Sequence, residues 1–178
     1  VSSNPIDPIH CIDETVERKH NQILLLGRND EVKGHDFAFE IMREFQKNAS
    51  DVTLHCTGRE QAPDGLDNVI AHGWVSKEEK VRLLQESSLL ILPSTYEGQP
   101  MVALEALACG TPVLASDSVH SLPDSIFRPE NETAESWFDS INDLLGRKTE
   151  RGDDLNQHRI ESINPNLLTL YQGLIESA

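Results

Sequence analysis

Apolar residues along this chain fall into short runs, alternating with polar residues over 52–56, separated by longer stretches in which they recur every three or four positions. The runs at 22–26, 52–56, 68–71, 89–92 and 113–115 are too short for helices. The first three are followed closely by Gly27, Gly58 and Gly73 and the fourth by Pro93, so they predict buried parallel strands. Between them, Phe37, Ile41 and Phe45 with Ala38 and Met42 make an i, i+4 stripe suited to covering a sheet. Ser76 to Glu79 form a capping box that starts a helix running to about Ser87. Pro100 suits a first helical position, and Met101, Leu104 and Ala108 keep helical spacing until Cys109 and Gly110 stop it. Ala134, Trp137, Phe138, Ile141, Leu144 and Leu145 predict an amphipathic helix ending near Gly146. Residues 148–159 are mostly polar, and Asn164-Pro165 opens a last helix with Leu167, Leu170, Tyr171 and Leu174 on one face.

Strand, helix and strand repeated five or six times predict an α/β fold, a doubly wound parallel sheet of about six strands in the order 3-2-1-4-5-6. In that order the first and fourth strands are neighbours where the winding reverses. The loops 27–34 and 93–100 are then expected to face each other across a ligand crevice. Residues 1–20 are polar, carry Pro5 and Pro8 and keep no period, which reads as a linker leaving another domain; 21–178 read as the folded domain.

The composition, 38% hydrophobic and 25% charged over 178 residues, is that of one ordinary globular domain. The net charge of −15 opposes binding of nucleic acid or anionic lipid, so an anionic ligand must be held by local cations. Cys11, Cys56 and Cys109 form no CxxC pair and read as reduced thiols of a cytoplasmic protein. The seven histidines show no metal-ligand spacing, so no metal site is predicted. No run reaches the length of a membrane span, and any contact with the inner membrane is expected to run through another domain.

Two carboxylates mark the loop and helix after the fourth strand, Glu97 and Glu105. On one continuous helix they would lie about 12 Å apart, beyond the roughly 5 to 9.5 Å of a glycosidase acid/base pair. The free N–H groups at the helix start instead suit an anion, and carboxylates beside them suit hydroxyl donors. Phosphate beside a polyhydroxyl group describes a nucleotide sugar.

The pattern Glu97-Gly98-x6-Glu105-Ala106-x-Ala108-x-Gly110-Thr111-Pro112-Val113 resembles the E-x7-E signature of the group 1 (family 4) retaining glycosyltransferases. Gly27, Arg28, Lys33 and Gly34 match the G-R…K-G element of the same family. The resemblance implies one Rossmann-like half of a GT-B fold, which binds a nucleoside-diphosphate sugar without a metal cofactor, the acceptor domain lying outside this chain. It implies that Arg28 and Lys33 hold the diphosphate, Glu105 the ribose hydroxyls and Glu97 the donor sugar. Donor contacts are further expected from Gly58, Gly73, Trp74, Gly98, Gln99, Pro100, Met101 and Val102. For Trp74 a place in the core is the competing reading. After Asp117 the chain departs from the family, with Val119-His120 and Pro123-Asp124 where paired glycines are common. A receiver domain would need an acidic cluster after the first strand, where Gly27-Arg28 stand. A GT-B-type epimerase and a non-catalytic nucleotide-sugar binding module remain the alternatives, and the chain alone is expected to be inactive as a transferase.

Overall fold

The computed structural model describes residues 9–146 apart from 11, 99, 121 and 123–125, so the segment 148–159, the helix expected after Asn164 and Pro123-Asp124 lie outside the described residues. Five parallel strands form one sheet: β1 (Lys19–Leu25), β2 (Thr53–Cys56), β3 (Val69–Ala71), β4 (Ser87–Leu92) and β5 (Val113–Ala115), in the order β3-β2-β1-β4-β5. Among the described residues four helices pack on it: α1 (His35–Lys47), α2 (Lys77–Glu86), α3 (Met101–Ala108) and α4 (Ala134–Gly146).

Alternation along the strands builds two cores. Ile23 and Leu25 of β1, Leu54 and Cys56 of β2, Leu89 and Ile91 of β4 and Leu114 of β5 face α1 and α4. Leu24, Leu90 and Leu92, with Val113 and Ala115, face α2 and α3 on the other side. Both faces of β1, β4 and β5 are therefore covered, which is why these strands read as apolar runs, whereas β2 alternates and Ile70 of β3 is 44% exposed. Each fully buried Leu or Ile contributes about 1.5–3 kcal/mol relative to exposure. Phe45 of α1 meets Phe138 of α4 at 4.7 Å between ring centroids, and Phe37 meets Trp137 edge to face at 5.9 Å.

Two expectations are narrowed by the structure. Among the described residues the sheet has five strands, not six: the sixth position is a single bridge from Phe127 to Leu114. Phe127 donates to Val113 O at 2.9 Å and accepts from Ala115 N at 3.0 Å, but the next residue due to donate is Pro129, which has no N–H. Arg128 instead takes the carbonyls beyond β5, including Val119 O at 2.7 Å. The crossover from β2 to β3 holds no helix, and Leu66 and Ala62 of this short stretch pack into the α1 core. Finally, the sheet takes in Lys19 and His20, so the folded part begins before residue 21. His10 is buried, and Arg18 donates to Gly110 O at 2.7 Å, which ties the lead-in to the end of α3.

Candidate functional site

The carboxyl ends of β1 and β4, neighbours at the reversal of winding, carry the two loops expected to converge. They are joined by a backbone bond from Thr95 N to Val32 O at 3.0 Å. After β1 the chain makes one 3₁₀ turn, Glu31–Lys33, capped by Asp30, whose Oδ1 accepts from Lys33 N at 3.0 Å. Gly34 follows at φ +73°, and a Cβ there would lie 2.1 Å from Pro93 O. Only glycine lets the loops approach this closely.

Lys33 is thereby carried across to Glu97, where Nζ forms an ion pair with Oε1; Ser94 Oγ donates to the same oxygen at 3.1 Å. The two residues expected to meet separate parts of a donor meet each other. Arg28 is largely exposed, with Nη2 3.5 Å from Asp30 Oδ2.

Gly58 (φ +80°) sits where a Cβ would fall 2.3 Å from Gly27 O, and it donates to Gly73 O at 2.8 Å. Gly27, Gly58 and Gly73 thus line up at the carboxyl ends of the first three strands. Trp74 follows with 74% of its surface exposed, so the core reading fails; Tyr96 is 71% exposed on the β4–α3 loop. Helix α3 starts at Met101, one residue later than expected, with Pro100 as a cap that makes no side-chain bond. Gly98 is open to solvent, Met101 and Val102 lead the helix, and Gln99 lies outside the described residues. The first N–H groups of α3 have no acceptor within the helix by its geometry. Glu105 lies in mid-helix, away from Lys33, and its Oε1 accepts from Lys80 Nζ of α2 at 2.8 Å.

A cleft of about 630 Å³ opens beside the joined loops, lined among others by Asn29, His35, Ser94, Thr95, Ser116 and Glu132. Of the predicted residues only Gly34 lines it, and none of its lining residues is a lysine or arginine. His35, the first residue of α1, is buried and bonds Thr57 O through Nε2 at 2.9 Å, so Nε2 carries the hydrogen. Burial holds its pKa below the ordinary histidine value. His35, Ser94 and Lys80 carried no spacing that would have singled them out: each is defined by what it faces across the fold. Among the described residues no group of three or more His, Cys, Asp or Glu could hold a metal ion, and no helix is long and apolar enough to cross a membrane.

The chemistry assembled at the switch point is a cation, a carboxylate and a helix N-terminus. Comparison with known proteins bears on the family and the fold. An uncharacterized 41.2 kDa protein of the Klebsiella pneumoniae cps region is 31% identical over 121 residues, 65% of this chain and 33% of that one. The D-inositol 3-phosphate glycosyltransferase of Corynebacterium aurimucosum is 26% identical over 145 residues, 69% of this chain and 34% of its own length. The chain thus spans about a third of the length of these curated relatives. Among solved structures, S. aureus TarM in complex with fondaparinux, α-GlcNAc-glycerol and UDP superposes with a TM-score of 0.74 at 20% identity, over 97% of this chain and 38% of that one. The C-terminal domain of a group 1 glycosyl transferase (LpcC) of Francisella tularensis superposes at 0.62 and 18% identity, over 91% of this chain and 95% of that domain. These likenesses show the fold. The model of glycosyl transferases group 1 matches residues 20–147, which takes in both joined loops and both glutamates, and the chain belongs to that family.

Proposed function

We propose that this chain is the donor-binding half of a retaining GT-B glycosyltransferase, which transfers a sugar from a nucleoside diphosphate to an acceptor held by another domain. The observation that carries the reading is the Lys33–Glu97 pair between the loops of β1 and β4, with the start of α3 beside it. Arg28, Lys33 and the first N–H groups of α3 hold the diphosphate, cationic side chains doing what a metal does in other transferases. Phosphate oxygens then draw Lys33 from Glu97, and the released carboxylate accepts from hydroxyls of the donor sugar. Glu105 accepts from the ribose. As the bond from the sugar's anomeric carbon to the β-phosphate oxygen breaks, charge builds on the leaving phosphate, where these donors act most strongly. That phosphate takes the proton of the acceptor hydroxyl, which attacks from the same face and retains the anomeric configuration.

The test is Glu97→Gln. Without the competing carboxylate, Lys33 meets the diphosphate more readily, so free nucleoside diphosphate binds more tightly by on the order of 1 kcal/mol, about fivefold. In the full-length enzyme, turnover falls more than the donor's Michaelis constant rises. A lowered melting temperature with equal losses for diphosphate and nucleotide sugar would instead make Glu97 a mere support of the loop.

A further inference from the structure

We propose that Lys80 is a positioning residue for nucleotide recognition, which holds the Glu105 carboxylate so that its second oxygen faces the ribose; the inference rests on the donor-binding reading above. The family signature contains Glu105 but not Lys80, which stands on a different helix. The capping box fixes where Lys80 starts: Ser76 Oγ accepts from Glu79 N at 3.1 Å, and Ser76 O accepts from Lys80 N at 2.9 Å. From the first turn of α2 the lysine crosses to α3, and its Nζ donates to Glu105 Oε1 at 2.8 Å. On the same oxygen, at 3.7 Å, lies Nε2 of His10 from the lead-in, a side chain that is 1% exposed.

Glu105 is 14% exposed and Lys80 27%, so the pair is largely out of water and its geometry is not blurred by exchange with solvent. The hydrogen bond from Lys80 falls on Oε1, the oxygen that His10 also approaches, and among the described residues no donor meets Oε2. A glutamate has three side-chain torsions. A salt bridge at one oxygen selects one arrangement of them and leaves the other oxygen with its lone pairs unused and its charge intact, as two vicinal O–H donors require. Arg18 donates to Gly110 O at 2.7 Å, which ties the end of α3 to the lead-in that carries His10. Lys80 then acts on the nucleotide through Glu105 and not by contact.

The experiment is calorimetric titration of the 178-residue chain with UDP, GDP and ADP, and with the 2′,3′-dideoxy form of whichever binds most tightly. The quantity read is the ratio of the dideoxy to the ribose dissociation constant. In the native chain it is about tenfold or more, as befits charged hydrogen bonds to two hydroxyls. Glu105→Gln brings it close to one. Lys80→Met does the same and leaves dideoxy binding unchanged, Lys80→Arg restores the ratio, and Lys80→Met added to Glu105→Gln changes nothing further. Should Lys80→Met not fold, Lys80→Gln is measured in the same way. A ratio that survives the loss of the lysine charge while Glu105→Gln abolishes it overturns the role of Lys80 and leaves the donor reading standing. If Lys80→Met weakens ribose and dideoxy forms equally, and does so again beside Glu105→Gln, the lysine touches the ligand directly and the inference is wrong. A ratio that survives Glu105→Gln, or no binding of any of the three diphosphates, removes the donor reading and this inference together.

Discussion

Lys33 and Glu97 neutralise each other at the place proposed for the donor, so on that proposal the lysine leaves the carboxylate when a diphosphate binds. Both residues could be singled out from the chain, each as a separate ligand; their pairing could not, because it depends on Gly34 seating one loop on Pro93 of the other. Lys33→Met should cost nucleoside diphosphates about 1.5–3 kcal/mol of binding, roughly tenfold to a hundredfold, while the bare nucleoside keeps its affinity. Equal losses for nucleoside and diphosphate, measured by calorimetry, would refute the assignment. A second residue-scale feature had no signature at all. His55 of β2 and His72 after β3 stack at 5.0 Å, with Nε2 of His72 2.9 Å from Nδ1 of His55. Burial first, then His72, pushes His55 down to about 4 from 6.5, and burial also lowers His72. A folded-state value below the unfolded one means that the folded protein binds fewer protons. The stabilisation is therefore fully present above about pH 6.5 and is lost as pH falls toward about 4. Relief of the net negative charge acts in the opposite direction, so the quantity to measure is the difference between the native chain and His55→Asn in urea unfolding. That difference should shrink on acidification; one that grows would contradict the sign.

At the scale of elements, β1, β4 and β5 were legible because strands covered on both faces leave apolar runs, β2 because it alternates, and the helices because one stripe of each is buried. Boundaries were less so. Pro100 caps α3 instead of starting it, and Phe127 failed to open a sixth strand because Pro129 interrupts the ladder two residues on. The end of α1 carries a local conflict. Ala49 adopts φ +50°, donating to Gln46 O while Ser50 donates to Phe45 O, both at 3.1 Å. This is the left-handed closure that glycine normally occupies. Relief of the Cβ strain outweighs the added freedom of the unfolded chain, so Ala49→Gly should stabilise by about 0.5–1 kcal/mol and raise the melting temperature by about 1–4 °C. A lowered melting temperature would show that the strain is carried elsewhere.

Over the whole molecule, the doubly wound order was predictable because right-handed crossovers leave few alternatives, and with it came the convergence of the two motif loops. What the pattern of the chain could not supply were the contacts made across the order: Lys80 to Glu105, Arg18 to Gly110 and His35 to Thr57. A chain of net charge −15 that binds a diphosphate must do so through a few cations at one place, and the place proposed for it is Arg28, Lys33 and the start of α3. The proposal assigns the acceptor to another domain, so the chain alone should bind donor products yet transfer no sugar. The central claim is tested most directly by titrating the 178-residue chain with UDP, GDP and ADP in the presence of EDTA. At least one should bind, with unchanged affinity when Mg²⁺ or Mn²⁺ replaces the chelator. Binding that appears only with the metal, or by none of the three, would contradict the account.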